Sequence, residues 1–280
     1  MFDWPLLLWW PLLAGALLTL AALRTPRSFG LVVAHPTWLS TVALAAGITL
    51  VRVLGDRTGL EDGWMLPAML APLAVLFVLA WKRPDIGGWP VAGEFPRWRS
   101  AWLAIAGFGL GLGWIFGHFL PGNSAPLPWL PVLNPLELFL LLSLMVAALY
   151  LRSHSDAHRL GWLAWAGAAL FTLSMGVLRA CHQLADLPWS PELLGETLAQ
   201  ASLTVAWCVA GVTAWVLGSR RGDRALWWLG AGLLGVVLLK LLVVDRQFVG
   251  NIAGIVSFVV VGLLLIVVGR IAPTPPRRSE

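Results

Sequence analysis

The sequence predicts an all-α protein, a polytopic transmembrane helix bundle of about nine spans built from repeated helical hairpins. Three observations carry that prediction. Hydrophobic residues make up 59% of the 280 and charged residues only 12%, with a mean hydropathy of +0.81, values foreign to a soluble domain of this length. The apolar residues fall into runs close to the roughly 20 needed to cross about 30 Å of hydrocarbon. The basic residues crowd into alternate connections between those runs.

Taken in order, the first run covers 5 to 23, within "MFDWPLLLWWPLLAGALLTLAALR". It lacks a basic leader, carries Asp3 and is too long for a signal segment, so it reads as a retained span. The second, 31 to 51, ends in the polar connection "VRVLGDRTGLEDGW", and the third, 65 to 81, is closed by Lys82 and Arg83. The fourth and fifth, 101 to 120 and 135 to 151, flank a proline-rich connection. The sixth, 160 to 178, runs into "RACHQLADLPWSPELLGETLAQ"; the seventh, eighth and ninth are 198 to 218, 225 to 244 and 251 to 269. The whole reads as a single integral membrane domain: 1 to 100 with three spans and a diverged hairpin, 101 to 270 with three hairpins, and 271 to 280 as a tail.

Assigning connections alternately to the two sides puts fourteen of the nineteen basic residues on one side, from Arg24 and Arg27 to Arg277 and Arg278. The other side has Arg52, Arg57, Arg179, Lys240 and Arg246. A bias of this kind makes the basic side cytoplasmic, with the N-terminus outside and the tail "IAPTPPRRSE" inside. Dispersed among short connections, the same charges form no stripe for nucleic acid. Most of the eighteen tryptophans fall near span ends, where interfacial anchoring accounts for them; Trp64, Trp129 and Trp189 on the outer side offer a stacking platform for a sugar ring as the functional alternative.

A pattern Arg-x-x-Trp-x-x-x-Ala-Gly recurs at Arg99, Trp102, Ala106, Gly107, at Arg159, Trp162, Ala166, Gly167, and at Arg224, Trp227, Ala231, Gly232. Recurring once per two spans, it implies a repeated hairpin in one orientation. Arginine and tryptophan would anchor the inner interface while the small pair admits a neighbouring helix. In "GFGLGLGWIFG", Gly107, Gly109, Gly111, Gly113 and Gly117 form i, i+4 pairs, the spacing of close helix contact.

The outward ends collect most of the polar residues. The candidates for a ligand site are Arg57, Asp62, His118, Asn134, Glu137, Arg179, His182, Lys240 and Asp245. Lys240, in "LLKLLVVDRQFVGN", lies about four residues before the end of its span, roughly 6 Å below the interface at 1.5 Å per residue. It either extends its stem to the headgroups or turns into the bundle. Asp245, five residues on, is about 140° around an ideal helix and does not share its face. An inward lysine therefore needs a partner on another element, for which Glu137 is the candidate. The equivalent positions in the other hairpins are the apolar Ile115 and Met175.

Little points to catalysis. The sequence holds no nucleophile elbow, zinc-protease motif, P-loop or dinucleotide fingerprint. Cys181 and Cys208 fall at the end of one run and in the middle of the next, which disfavours a disulfide framework or a cysteine metal site. His154 and His158 read as a solvated turn, and His118 with His182 lack the further ligands a metal requires. No metal or cofactor is expected.

The ordered phrases "VLNPLEL", "LRACHQLADLPWS", "LLKLLVVD", "IVSFVVVGLLLIVVG" and "APTPP" resemble the C-terminal part of the bacterial predicted inner-membrane protein family named domain of unknown function 2339, most closely over 131 to 276. The resemblance implies matching positions at Asn134, Pro135, Arg179, His182, Gln200, Lys240, Asp245, Ser257 and Phe258; where the family tends to carry an arginine, this chain has Gly254. It also implies a bacterial inner membrane, with no activity attached.

The reading that follows is a non-catalytic component of the cell envelope whose polar site faces the periplasm. Its partners would be the lipid bilayer, a lipid-linked or anionic envelope molecule, and other membrane proteins. The alternative is a membrane transferase acting on lipid-linked envelope precursors, with Asp56, Glu61 or Asp62 as base and Arg57, Arg179 or Lys240 holding a phosphate. A secondary transporter is a third reading, opposed by span centres almost devoid of charge.

Overall fold

The computed structural model describes residues 4–22, 29–58, 62–153 and 159–244, together with 255, 256, 259–263 and 266. Among them there is no strand. The helices are α1 (Trp4–Ala22), α2 (Phe29–Thr58), α3 (Asp62–Lys82), the short α4 (Pro84–Gly87), α5 (Arg99–Gly117), α6 (Pro135–Ser153), α7 (Arg159–Ala185), α8 (Thr197–Arg221) and α9 (Arg224–Val243), with 3₁₀ turns at Phe95–Arg97 and Pro191–Gly195. Seven of these, α2, α3 and α5 to α9, are long and apolar enough to cross a membrane. Two of the nine predicted spans are not among the seven. The first run forms α1, whose described apolar stretch, Trp9–Ala21, is shorter than a span; the ninth lies largely outside the described residues.

Hydroxyl groups on these helices return to their own backbone. Thr37, Ser40, Thr49, Ser143, Thr172, Ser174 and Thr204 each donate to the carbonyl four residues earlier, at 2.7 to 2.9 Å. In hydrocarbon, which offers no water, this is the nearest available acceptor. Pro36, Pro67 and Pro72 sit inside α2 and α3.

The chain gathers into two compact units, Met1–Ala147 and Ala148–Glu280. In the first, α3 is central and packs on α2, α5 and α4. The backbones of α2 and α3 meet at Gly47, where a Cβ would lie 2.2 Å from the Met69 carbonyl. Leu136, Phe139 and Leu140 of α6 bury against Leu66, Leu70, Trp114 and Leu120. Within the glycine run of α5, Gly113 and Gly117 are in close contact with Leu70 and Leu66, Gly107 and Gly109 touch their neighbours at ordinary distance, and Gly111 faces open space. Only part of that run therefore serves packing.

In the second unit α8 packs against both α7 and α9. The α8–α9 pair is the tightest, because a Cβ at Gly218 or Gly230 would stand 2.4 Å from the backbone nitrogen of Trp227 or Trp215. The link between them is short. Gly222 adopts the left-handed conformation (φ 67°), with Asp223 N–H bonded to the Gly218 carbonyl at 2.8 Å and Gly222 N–H to that of Ser219 at 3.2 Å, a Schellman ending. The Asp223 carboxylate then caps α9 through the N–H groups of Ala225 and Leu226. The predicted hairpins would put α8 and α9 in different copies, so the closest packing does not follow the repeat. What the copies share is their start: α5, α7 and α9 begin at Arg99, Arg159 and Arg224.

Candidate functional site

The polar residues of the second unit meet where α7 ends and α8 begins. Lys240 turns inward: its Nζ donates to Thr204 Oγ1 at 2.5 Å and to the Gln200 carbonyl at 3.2 Å, both on α8. Thr204 is completely buried. Its hydroxyl also donates to the Gln200 carbonyl, at 2.9 Å.

Arg179 on α7 is likewise completely buried. Its level follows from the register of α7 on α8: the Trp207 indole donates to Ser174 Oγ at 2.9 Å, the Cys181 thiol lies beside the Ser202 hydroxyl, and Leu178 and Leu203 share one apolar cluster. Arg179 is thus level with Leu203 and Thr204. Arg179 on α7 and Lys240 on α9 therefore stand at about the same level along α8.

The segment after α7 folds back over this end. Asp186 breaks the helix at φ 51°, and the His182 ring donates from Nδ1 to the Leu187 carbonyl at 2.5 Å. The ring packs near Trp189, with centroids 5.8 Å apart. Leu193 of the 3₁₀ turn buries among Leu178, Cys181, Ala199 and Leu203. Gln200 holds the turn from the other side, donating from Nε2 to the Leu194 carbonyl at 2.5 Å. On its exposed face the Ser190 hydroxyl keeps the Glu192 carboxyl below its ordinary range.

In the first unit the predicted residues brace structure. Asn134 precedes α6, and its Oδ1 accepts the Glu137 N–H at 3.0 Å while its Nδ2 donates to the Leu130 carbonyl at 3.3 Å. Glu137 is buried and its Oε2 accepts the N–H of Val132 at 2.5 Å, holding that residue in the left-handed region at φ 70°. "NPLE" is thus a variant capping box with proline at the first helical position. His118 is buried at the end of α5, with Nδ1 2.7 Å from the Trp114 carbonyl and its ring against that indole at 4.2 Å. Asp62 begins α3, and the neighbouring Gly63 N–H and Trp64 indole bond to the Asn123 and Ser124 carbonyls at 3.0 and 3.1 Å. Arg57 lies in the last turn of α2 with its side chain outside the described residues, and Asp245 lies outside them altogether.

One buried histidine escaped the sequence reading. His35 on α2 is fully enclosed. Its Nδ1 accepts the Trp98 indole N–H at 3.1 Å and its Nε2 donates to the Trp89 carbonyl at 3.3 Å, so both ring nitrogens are satisfied in the neutral ring. Phe95, Trp98 and Trp38 surround it at 5.3 to 6.0 Å. The available signal was a lone histidine near the start of an apolar run, opposite a connection containing three tryptophans, "GGWPVAGEFPRWRSAW".

The family model described as predicted membrane protein (DUF2339) matches residues 2–275, nearly the whole chain. This chain belongs to that family. The match reaches well upstream of the region where the phrases of the sequence carried the resemblance. Neither the curated proteins nor the solved structures contain a match.

For this DUF2339 protein the described side chains offer electrostatics before chemistry. Among the described residues no group of three or more histidine, cysteine or acidic side chains is placed to hold a metal ion. Arg179 and Lys240 lie level with the second turn of α8. Fixed positive charge at one end of an apolar unit favours an anion.

Proposed function

We propose that this protein is a non-catalytic component of the bacterial inner membrane that binds an anionic headgroup, free or lipid-linked, at the Arg179–Lys240 end of its second unit. The observation that carries the reading is that α7 and α9 each carry a buried or inward-turned cation at about the same level along α8. A phosphate or carboxylate there would add a charge-assisted contact to cations that the protein meets with neutral oxygens, as at Thr204 and the Gln200 carbonyl. The excess of basic residues in the opposite connections supports a periplasmic position for this end, an external N-terminus and a cytoplasmic tail. The shared start of α5, α7 and α9 on the arginine of one motif supports a hairpin repeat, with a ninth span at 251 to 269 completing its last copy.

The test is native mass spectrometry of protein purified in mild detergent. Wild type is expected to retain an anionic adduct that Lys240→Met loses while remaining folded, with Lys240→Arg intermediate. Equal retention by wild type and Lys240→Met, or none by wild type after supplying phosphatidylglycerol and inorganic phosphate, would overturn the reading.

A further inference from the structure

The 15 residues from Phe119 to Leu133, "FLPGNSAPLPWLPVL", join α5 to α6 and contain no charged side chain. A connection at the end of a bundle ordinarily lies in water and turns its polar groups outward. This one is inverted. Phe119, Leu127, Leu130, Val132 and Leu133 are 50 to 65% exposed, whereas Ser124 and the flanking Asn134 are 1% exposed.

The backbone is equipped for an apolar surrounding. Pro121, Pro126, Pro128 and Pro131 carry no N–H to satisfy. Of the eleven N–H groups that remain in the connection, six have bonds within the protein: Phe119 and Leu120 to the Phe116 and Gly117 carbonyls at 3.0 and 3.4 Å, Ala125 to Asn123 Oδ1 at 3.1 Å, Leu127 to the Ser124 carbonyl at 2.9 Å, Val132 to Glu137 Oε2 and Leu133 to the Leu130 carbonyl at 3.2 Å. The Ser124 hydroxyl donates to the Leu127 carbonyl at 3.1 Å. Each bond made within the protein lowers the cost of holding non-helical backbone at the boundary between headgroups and acyl chains.

We propose that the 119–133 connection lies in the leaflet itself, with Phe119, Leu127, Leu130 and Leu133 in contact with lipid acyl chains. The choice of lipid as the occupant rests on continuity. The apolar surface of the connection runs on from Ile115 and Phe116 of α5 to Leu138 and Leu141 of α6, all exposed on helices long and apolar enough to span the bilayer. A protein partner would have to cover a surface that is contiguous with lipid at both ends. The connection then acts as an interfacial anchor that sets the depth of the α5–α6 pair, as an amphipathic surface helix would with its apolar face roughly 5–10 Å into the headgroup and acyl boundary. This inference does not depend on the anionic site of the second unit.

Full-length Leu130→Cys and Leu133→Cys variants, spin-labelled and reconstituted in phosphatidylglycerol and phosphatidylethanolamine vesicles, provide the test, with Asp85→Cys as the water-exposed control. Cys181 and Cys208 are buried, and labelled wild type measures their background. The expected result is a several-fold higher ratio of oxygen to nickel-chelate accessibility at 130 and 133 than at 85. Labels as open to the nickel chelate as that at 85 would put the connection in water and end the proposal. Labels shielded from both reagents would show a protein surface covering it, with the same consequence.

Discussion

Lys240 on α9 donates to Thr204 Oγ1 on α8 at 2.5 Å, and both residues donate to the same carbonyl, that of Gln200. The ammonium is thereby solvated by neutral oxygens inside the unit instead of reaching for the headgroups. Removing it leaves Thr204 and Gln200 bonded to one another, so Lys240→Met should change unfolding stability by no more than about 1 kcal/mol. Chemical denaturation in micelles measures this; a loss of several kcal/mol would mean that the lysine holds the α8–α9 pair together.

The backbone contact between α8 and α9 makes a sharper stability prediction. Gly218→Ala and Gly230→Ala each place a methyl against a neighbouring backbone, and each should destabilise by about 1–3 kcal/mol. Gly167 and Gly232, the motif glycines of α7 and α9, have open space beside them. Their alanine variants should be neutral or gain up to about 1 kcal/mol from helix propensity. Thermal unfolding of the four variants compares the two sets directly.

Trp98→Phe removes the N–H that satisfies His35 Nδ1 in a fully buried cage. An acceptor stranded in this way costs about 1–3 kcal/mol. The double variant His35→Phe with Trp98→Phe should recover part of that loss, because the stranded His35 Nδ1 is then gone and the Trp89 carbonyl gives up only one long bond of 3.3 Å. A double variant less stable than the sum of its singles would show that the cage is held by ring packing alone.

Asn134→Ala deletes the cap of α6 and should cost about 1 kcal/mol. Glu137→Gln keeps an acceptor for Val132 N–H and should cost less than Glu137→Ala. Equal effects of the two Glu137 substitutions would remove the bracing role assigned to the carboxylate.

Orientation is open to a labelling experiment at exposed sites. Glu192→Cys should react with a membrane-impermeant maleimide in intact spheroplasts, and Asp85→Cys only after lysis. The buried Cys181 and Cys208 keep the background low. The opposite pattern would invert the proposed topology.

The candidate site was legible in part. Arg179, His182 and Lys240 stood out because charge in an apolar run is rare, and the structure gathers them at one end of the second unit. Glu137 stands out for the same reason, yet its role is local, written in the capping pattern "NPLE" and not in an ion pair with a distant element. His35 is not legible in this way, because its partners, Trp89 and Trp98, lie more than fifty residues away in sequence.

The sequence by itself determined the helices and their membrane character, because run length against bilayer thickness and the arginine that opens α5, α7 and α9 are local quantities. It also determined the ends, through Asn134 before α6 and Gly222 with Asp223 between α8 and α9. Only the tertiary structure decided which way Lys240 turns, which glycines admit a neighbouring backbone and what encloses His35. A helix in lipid is apolar all round, so no periodic polar face marks the side that meets another helix. Those faces are chosen by the fit of one helix against the next, as at Gly230 against Trp215.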